Sequence, residues 1–105
     1  MSRYGWIITR DLINEEAVGT TGPRWISDEI SARLMRGEGI SLRMYDDDGE
    51  HYYSGRYIGP DDDAMFGPLR DFGAPHAGAT EIRYRTADTG RYDTLRSPVR
   101  VRWRA

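Results

Sequence analysis

Cysteine is absent from this chain, and so is lysine: all 15 basic residues are arginine. Without thiols there can be no disulfide framework, no thiolate metal centre and no cysteine nucleophile. Long apolar runs are missing too, and nothing approaches the roughly 20 consecutive apolar residues of a membrane-spanning helix. The opening Met1-Ser2-Arg3-Tyr4-Gly5-Trp6 has no apolar signal region, and Ser rather than Gly follows Met1, which removes the myristoylation signal. A soluble, cytoplasmic chain is expected. At 105 residues there is room for one small domain, not for a doubly wound nucleotide-binding unit with a second domain, nor for a (β/α)₈ barrel.

Aliphatic residues are scarce, with Ile, Leu, Val and Phe numbering 18 together. Such a share signals disorder only when net charge is large, and here it is −2. The 3 Trp and 7 Tyr supply the missing apolar area, so a thin-cored folded domain is expected. Arginine in place of lysine fits a GC-rich coding bias, and it also provides a planar fork that binds carboxylate or phosphate bidentately and stacks on rings. Charge is segregated: residues 1–75 carry a net −6 and residues 76–105 a net +4. Either the two parts pair in the fold, or they leave a two-faced molecule whose field orients a charged partner.

Trp6-Ile7-Ile8 predicts a strand over 4–13, followed by a loop from Asn14 to Arg24 with Gly19, Gly22 and Pro23 as breakers. Ser27-Asp28-Glu29 is a helix start, Gly37 a natural stop, and Ile26, Ile30 and Leu34 form one apolar stripe, giving a helix over 27–36 with Glu29 and Arg33 paired on its wet face. Asp48-Gly49 signals a two-residue turn in a hairpin over 40–58. That turn pairs Tyr45 with Tyr52, Met44 with Tyr53, Leu42 with Gly55 and Ile40 with Tyr57. It places Arg43, Tyr45, Tyr52 and Arg56 on the outer face. Residues 59–79, with 4 Gly and 3 Pro, read as a long loop pinned by Met65, Phe66, Leu69 and Phe72, with a helical turn near Asp62–Phe66. Strands follow over 80–104: Ile82 and Tyr84 alternate with Arg83 and Arg85, Asp88-Thr89-Gly90 turns the chain, Ser97-Pro98 bends it, and Val99, Val101 and Trp103 alternate with arginines. The expected architecture is α+β, a bent antiparallel sheet of about five strands with one short helix packed on one face.

Motifs that would carry chemistry are few. Setting Asp46-Asp47-Asp48-Gly49-Glu50 on the calcium-loop template puts Met44 where the first acid belongs, so the template fails. The run reads as a solvated hairpin tip, as does Asp61-Asp62-Asp63. No nucleophile elbow, His-Glu-x-x-His or phosphate loop occurs. His51 would face Asp46 as a surface pair, and His76 lies in the long loop without an identifiable partner. No metal and no cofactor is expected.

The opening Tyr4-Gly5-Trp6-Ile7-Ile8-Thr9-Arg10-Asp11, the Val18–Arg24 loop and the Met44–Gly55 hairpin together resemble small hypothetical proteins of high-GC actinobacteria and their mobile elements. The resemblance covers most of the chain and implies no particular activity or site. In size, acidity and lack of catalytic motifs the chain is also similar in style to phage inhibitors of bacterial defence systems.

These features lead to a non-enzymatic protein-interaction module, an inhibitor or regulator, docking on an unidentified protein partner through an Arg/Tyr sheet face and the Gly/Pro-rich loop. The residues expected to carry binding are Arg43, Tyr45, Tyr52, Arg56, Phe72, His76, Arg100 and Arg102, types enriched at interface hot spots or carried on a recognition loop. The alternative is single-stranded nucleic-acid binding, in which Tyr45 and Tyr52 stack bases while Arg43 and Arg56 hold phosphates. The acidic pI of about 5.6 counts against it. A small hydrolase using His76 is the third reading.

Overall fold

A computed structural model describes residues 4–87 and 89–95. Its strands are β1 (Gly5–Asp11), β2 (Glu16–Gly22), β3 (Ile40–Tyr45), β4 (His51–Ile58), β5 (Glu81–Arg85) and β6 (Tyr92–Thr94). Helix α1 (Asp28–Met35) lies between β2 and β3, and a helical segment ending in α2 (Ala74–Ala77) lies between β4 and β5. All pairings are antiparallel, in the order β2-β1-β4-β3-β5-β6. The class is α+β as expected. The additional strand is β2, within the segment read as a loop. An edge strand needs one partner for its hydrogen bonds and few buried side chains, and Glu16, Ala17, Gly19 and Thr20 remain exposed. Ile8 pairs with Thr20 and Arg10 with Ala17, so two residues of β2 oppose one of β1 in a bulge.

Helix α1 begins and ends on the signals in its sequence. The Ser27 hydroxyl accepts from the Ile30 amide at 3.1 Å. At the other end Gly37, at φ 99°, donates to Leu34 while Glu38 donates to Arg33, closing a left-handed terminus. The apolar stripe packs on β1: a side chain at Gly5 would overlap Ile26 and Ile30, and Leu34 is fully buried. Arg33 does not pair with Glu29; it bonds Glu38 at 2.8 Å, because the turn at Gly37 folds that carboxylate back over the helix.

The hairpin keeps its predicted register along its body but not at its tip. Ile40, Leu42 and Met44 face Tyr57, Gly55 and Tyr53 as expected, whereas Tyr45 faces His51. The cause is Asp46. Its Oδ1 accepts from the amides of Asp48 and Glu50, both at 2.8 Å, and its amide bonds the Glu50 carbonyl, which makes a three-residue loop with left-handed Gly49. A compensating register shift just past Tyr45 restores the pairing.

Residues 59–79 form no structureless loop. A 3₁₀ turn (Asp63–Phe66), a π turn (Leu69–Gly73) and α2 follow one another across the sheet. Asp62 caps the first of these through the Ala64 amide at 2.8 Å, and Pro75 sits in the first turn of α2, where a missing N–H costs nothing. The segment seals the main core: Trp6, Ile8, Leu42, Met44, Tyr53, Tyr57, Ile82 and Tyr84 lie beneath Ala64, Met65 and Ala79, with Phe66, Leu69 and Phe72 packed at the margin. Fully buried Leu42, Met44 and Ile82 each contribute about 1.5–3 kcal/mol. Tyr57 and Tyr84 donate their hydroxyls to the carbonyls of Pro60 and Met65 at 2.6 and 2.8 Å, tying the segment to the strands. The main core and α1 therefore occupy opposite faces of the sheet.

Of the strands expected over 80–104, β5 and β6 are present. The expected alternation of Val99, Val101 and Trp103, the Ser97-Pro98 bend and the candidates Arg100 and Arg102 lie outside the described residues. Among the described residues, no helix is long and apolar enough to cross a membrane.

Candidate docking face

Helix α1 rests on β1 and β4. On the same side of the sheet, β3, β5 and β6 present alternate side chains that are polar and aromatic. Arg43 and Tyr45 stand on β3, Glu81, Arg83 and Arg85 on β5, and Tyr92 and Thr94 on β6. Two guanidinium groups lie over rings: Arg43 is 4.0 Å from the Tyr92 centroid and Arg83 is 3.9 Å from the Tyr45 centroid. Glu81 accepts from Arg83 Nε and from the Thr94 hydroxyl at 2.7 Å, and this carboxylate raises the Arg83 pKa. Arg43 and Arg85 have no carboxylate partner among the described residues.

On the β4 side, His51 stacks on Tyr45 with centroids 4.9 Å apart. Its Nε2 lies 3.0 Å from both the Tyr53 carbonyl and the Ser54 hydroxyl. Partial burial pushes the His51 pKa below its ordinary value, and the positive charges of Arg43 and Arg83 push it further, against the opposing hydrogen bond to Tyr53. The Ser54–His51 contact does not make a nucleophile and base. The nearby ring nitrogen is shared with a backbone carbonyl, and among the described residues no carboxylate orients the other one.

Of the residues expected to bind, Arg43 and Tyr45 meet on this face. Tyr45 is only 8% exposed, however, because β3 runs between β4 and β5 and its ring is held between His51 and Arg83. Tyr52 leaves the face: the tip register turns it so that its hydroxyl bonds Asp46 at 2.9 Å and its ring packs against the main core. His51 consequently faces Tyr45 and not Asp46. Arg56 lies under α1, donating to the Leu34 and Glu38 carbonyls. The pair of free tyrosine platforms required for base stacking is therefore not formed.

Phe72 and His76 sit on the other side of the sheet, stacked at 4.3 Å, with His76 Nδ1 2.8 Å from the Phe72 carbonyl. Phe72 also meets Trp6 edge-on at 5.7 Å. The Arg/Tyr face and the 59–79 segment thus cannot act as one continuous surface. Arg83 and Arg85 are legible from their alternation with Ile82 and Tyr84. The roles of His51 and Tyr92 were missed, and only the shifted tip register and the β5–β6 pairing reveal them.

His76 does border a cleft of about 390 Å³, walled by Trp6, Trp25 and Phe72 and reached by Arg24 and Asp71. Asp71 is the one carboxylate lining it among the described residues, and this side chain already accepts from the Tyr4 hydroxyl at 3.3 Å and lies 3.6 Å from Arg70 Nε. A second acid to work with His76 is not found there.

Comparison with protein-family models, with curated proteins and with solved structures gives no match to this chain.

Proposed function

We propose that the protein is a docking module that engages an acidic protein surface through the outer face of β3, β5 and β6, inhibiting or regulating that partner by covering it. The observation that supports this most is the pair of arginines held over tyrosine rings of the same face. Arg43 lies over Tyr92 and Arg83 over Tyr45, and Glu81 is the one carboxylate among the described strand residues pointing that way. The ring contact holds each guanidinium without itself consuming N–H donors, and although Arg83 gives its Nε to Glu81, less side-chain entropy is lost when a carboxylate arrives. A face that is already ordered and sets Arg43, Arg83 and Arg85 against the single carboxylate of Glu81 among the described residues is complementary to clustered Asp and Glu on a partner.

A labelled peptide of alternating Glu and Tyr, titrated with the full chain, tests this reading. Binding that weakens steadily with added salt, and that falls about tenfold or more in Arg43→Gln/Arg85→Gln, is the expected result. Equal binding by wild type and variant overturns it. So does preference for a labelled single-stranded oligonucleotide with a log-linear salt dependence, which would restore the nucleic-acid reading.

A further inference from the structure

The cleft on the opposite side of the sheet has a chemistry of its own. Its walls are π surfaces: Trp6 from the main core, Phe72 from its margin, the His76 ring stacked against Phe72, and Trp25, which is 61% exposed despite its size. Unlike the exposed Ile13 and Met35, Trp25 borders a concavity, where its ring is free to stack on a ligand. The polar groups are mostly donors. The Arg24 guanidinium is exposed and has no partner among the described residues, and Thr20, on the same face of the sheet as Trp6, stands at the β2 end. The Trp6 indole N–H, in the wall itself, is the one buried side-chain donor without a hydrogen-bond partner among the described residues. Among the described residues the one lining carboxylate, Asp71, is already engaged by Tyr4 and Arg70. Rings on the walls, an unpaired cation at the mouth and an occupied acid together select a ligand that is flat and negatively charged.

We propose that this cleft binds a planar aromatic carboxylate, with the ring between Trp25 and the Trp6–Phe72 wall and the carboxylate on Arg24. The cleft volume of about 390 Å³ falls in the range of small-ligand sites. This site is independent of the Arg/Tyr face, which lies across the sheet.

The test uses ¹⁵N-labelled full-length protein, so that the indole N–H signals of Trp6 and Trp25 report directly. Three unlabelled probes are titrated: indole-3-acetate, tryptamine and propionate. Indole-3-acetate is expected to move both indole signals saturably. Tryptamine, which exchanges the anion for a cation, and propionate, which lacks the ring, are each expected to bind about tenfold more weakly or worse. Arg24→Gln should weaken indole-3-acetate about tenfold and Trp25→Ala should abolish it. Both side chains are exposed, and an unchanged melting temperature confirms that the variants fold. No movement with millimolar indole-3-acetate, equal binding of tryptamine, or an affinity unchanged by Arg24→Gln overturns the proposal. None of these outcomes bears on the acidic-peptide result at the other face.

Discussion

Arg56, in the middle of β4, donates through Nη2 to the Leu34 carbonyl in the last turn of α1, and through Nε to the Glu38 carbonyl at 3.1 Å. One guanidinium thus reinforces the C-terminal turn of the helix, adding a second donor to the Leu34 carbonyl that the Gly37 amide already bonds, and places positive charge at the negative end of its dipole. The residue is a clamp between helix and sheet, not part of a binding face.

Replacement of Arg56 should therefore act on stability. Arg56→Ala is expected to cost about 1.5–3 kcal/mol, the range for charge-assisted hydrogen bonds at a part-buried position. Arg56→Lys keeps the charge but cannot span both carbonyls, so it should fall between Ala and wild type. Urea unfolding gives these values, and hydrogen exchange should show the loss concentrated in α1 and the Gly37 turn.

Gly55 is a stronger constraint. It lies between Ile8 of β1 and Leu42 of β3, and a Cβ there would overlap the backbone carbonyl of Ile7. Backbone in the middle of a sheet cannot give way as a side chain does, so Gly55→Ala should destabilise by about 3 kcal/mol or more. Gly49, at φ 82° with open space around it, is the control. Its alanine variant meets only the left-handed backbone penalty, about 1–2 kcal/mol. Similar losses at the two positions in chemical denaturation would contradict the packing described for Gly55.

What the sequence disclosed and what it hid follow from where specificity resides. Helix α1 was legible because its signals are local: a hydroxyl cap, a four-residue apolar spacing and a glycine stop. The body of the β3–β4 hairpin was legible because alternation and turn agree on which side chains are buried. Strand β2 was hidden because it buries little and is organised by β1, a neighbour the local sequence does not name. The helical character of 59–79 was masked by glycines and prolines that read as breakers but sit at caps, first turns and close contacts. The polar face of β3 was half legible: Arg43 and Tyr45 stand on the expected side of the sheet, Tyr45 buried there, but Tyr52 was displaced by one side-chain carboxylate, Asp46, whose hydrogen bonds lengthen the turn by a residue.

Tyr45 and Tyr52 now part company in expectation. Tyr45 is buried between His51 and Arg83, and Tyr45→Ala should cost about 3 kcal/mol, comparable with truncation of other buried aromatics. Its ring is a support for the face, so weaker docking by that variant would report lost support together with any lost contact. Arg43→Gln and Arg85→Gln remove charge from side chains that are not buried, and their melting temperatures should stay within about 3 °C of wild type. Thermal melts of the three variants, run beside the peptide titrations, separate the two effects.

The His51 ring supplies a pH dependence whose direction is fixed by its surroundings. Burial, with Arg43 and Arg83 nearby, disfavours the imidazolium in the folded protein and lowers the pKa below its ordinary value near 6.5. The unfolded chain, lacking those surroundings, takes up the proton first. Between the folded and unfolded values it binds more protons than the native state, so stability decreases as pH falls through that window and is independent of His51 above it. The window opens at the ordinary histidine value near 6.5 and extends below it. A His51→Asn variant should show a flatter stability profile than wild type as pH falls from the ordinary histidine value near 6.5. In NMR titrations the His51 ring should protonate below its ordinary value, and Arg43→Gln should raise that midpoint by removing one of the two positive charges that depress it. A midpoint unmoved by Arg43→Gln would mean that the guanidinium on Tyr92 does not reach the histidine's field, and the face would then lack the shared positive potential on which acidic docking depends.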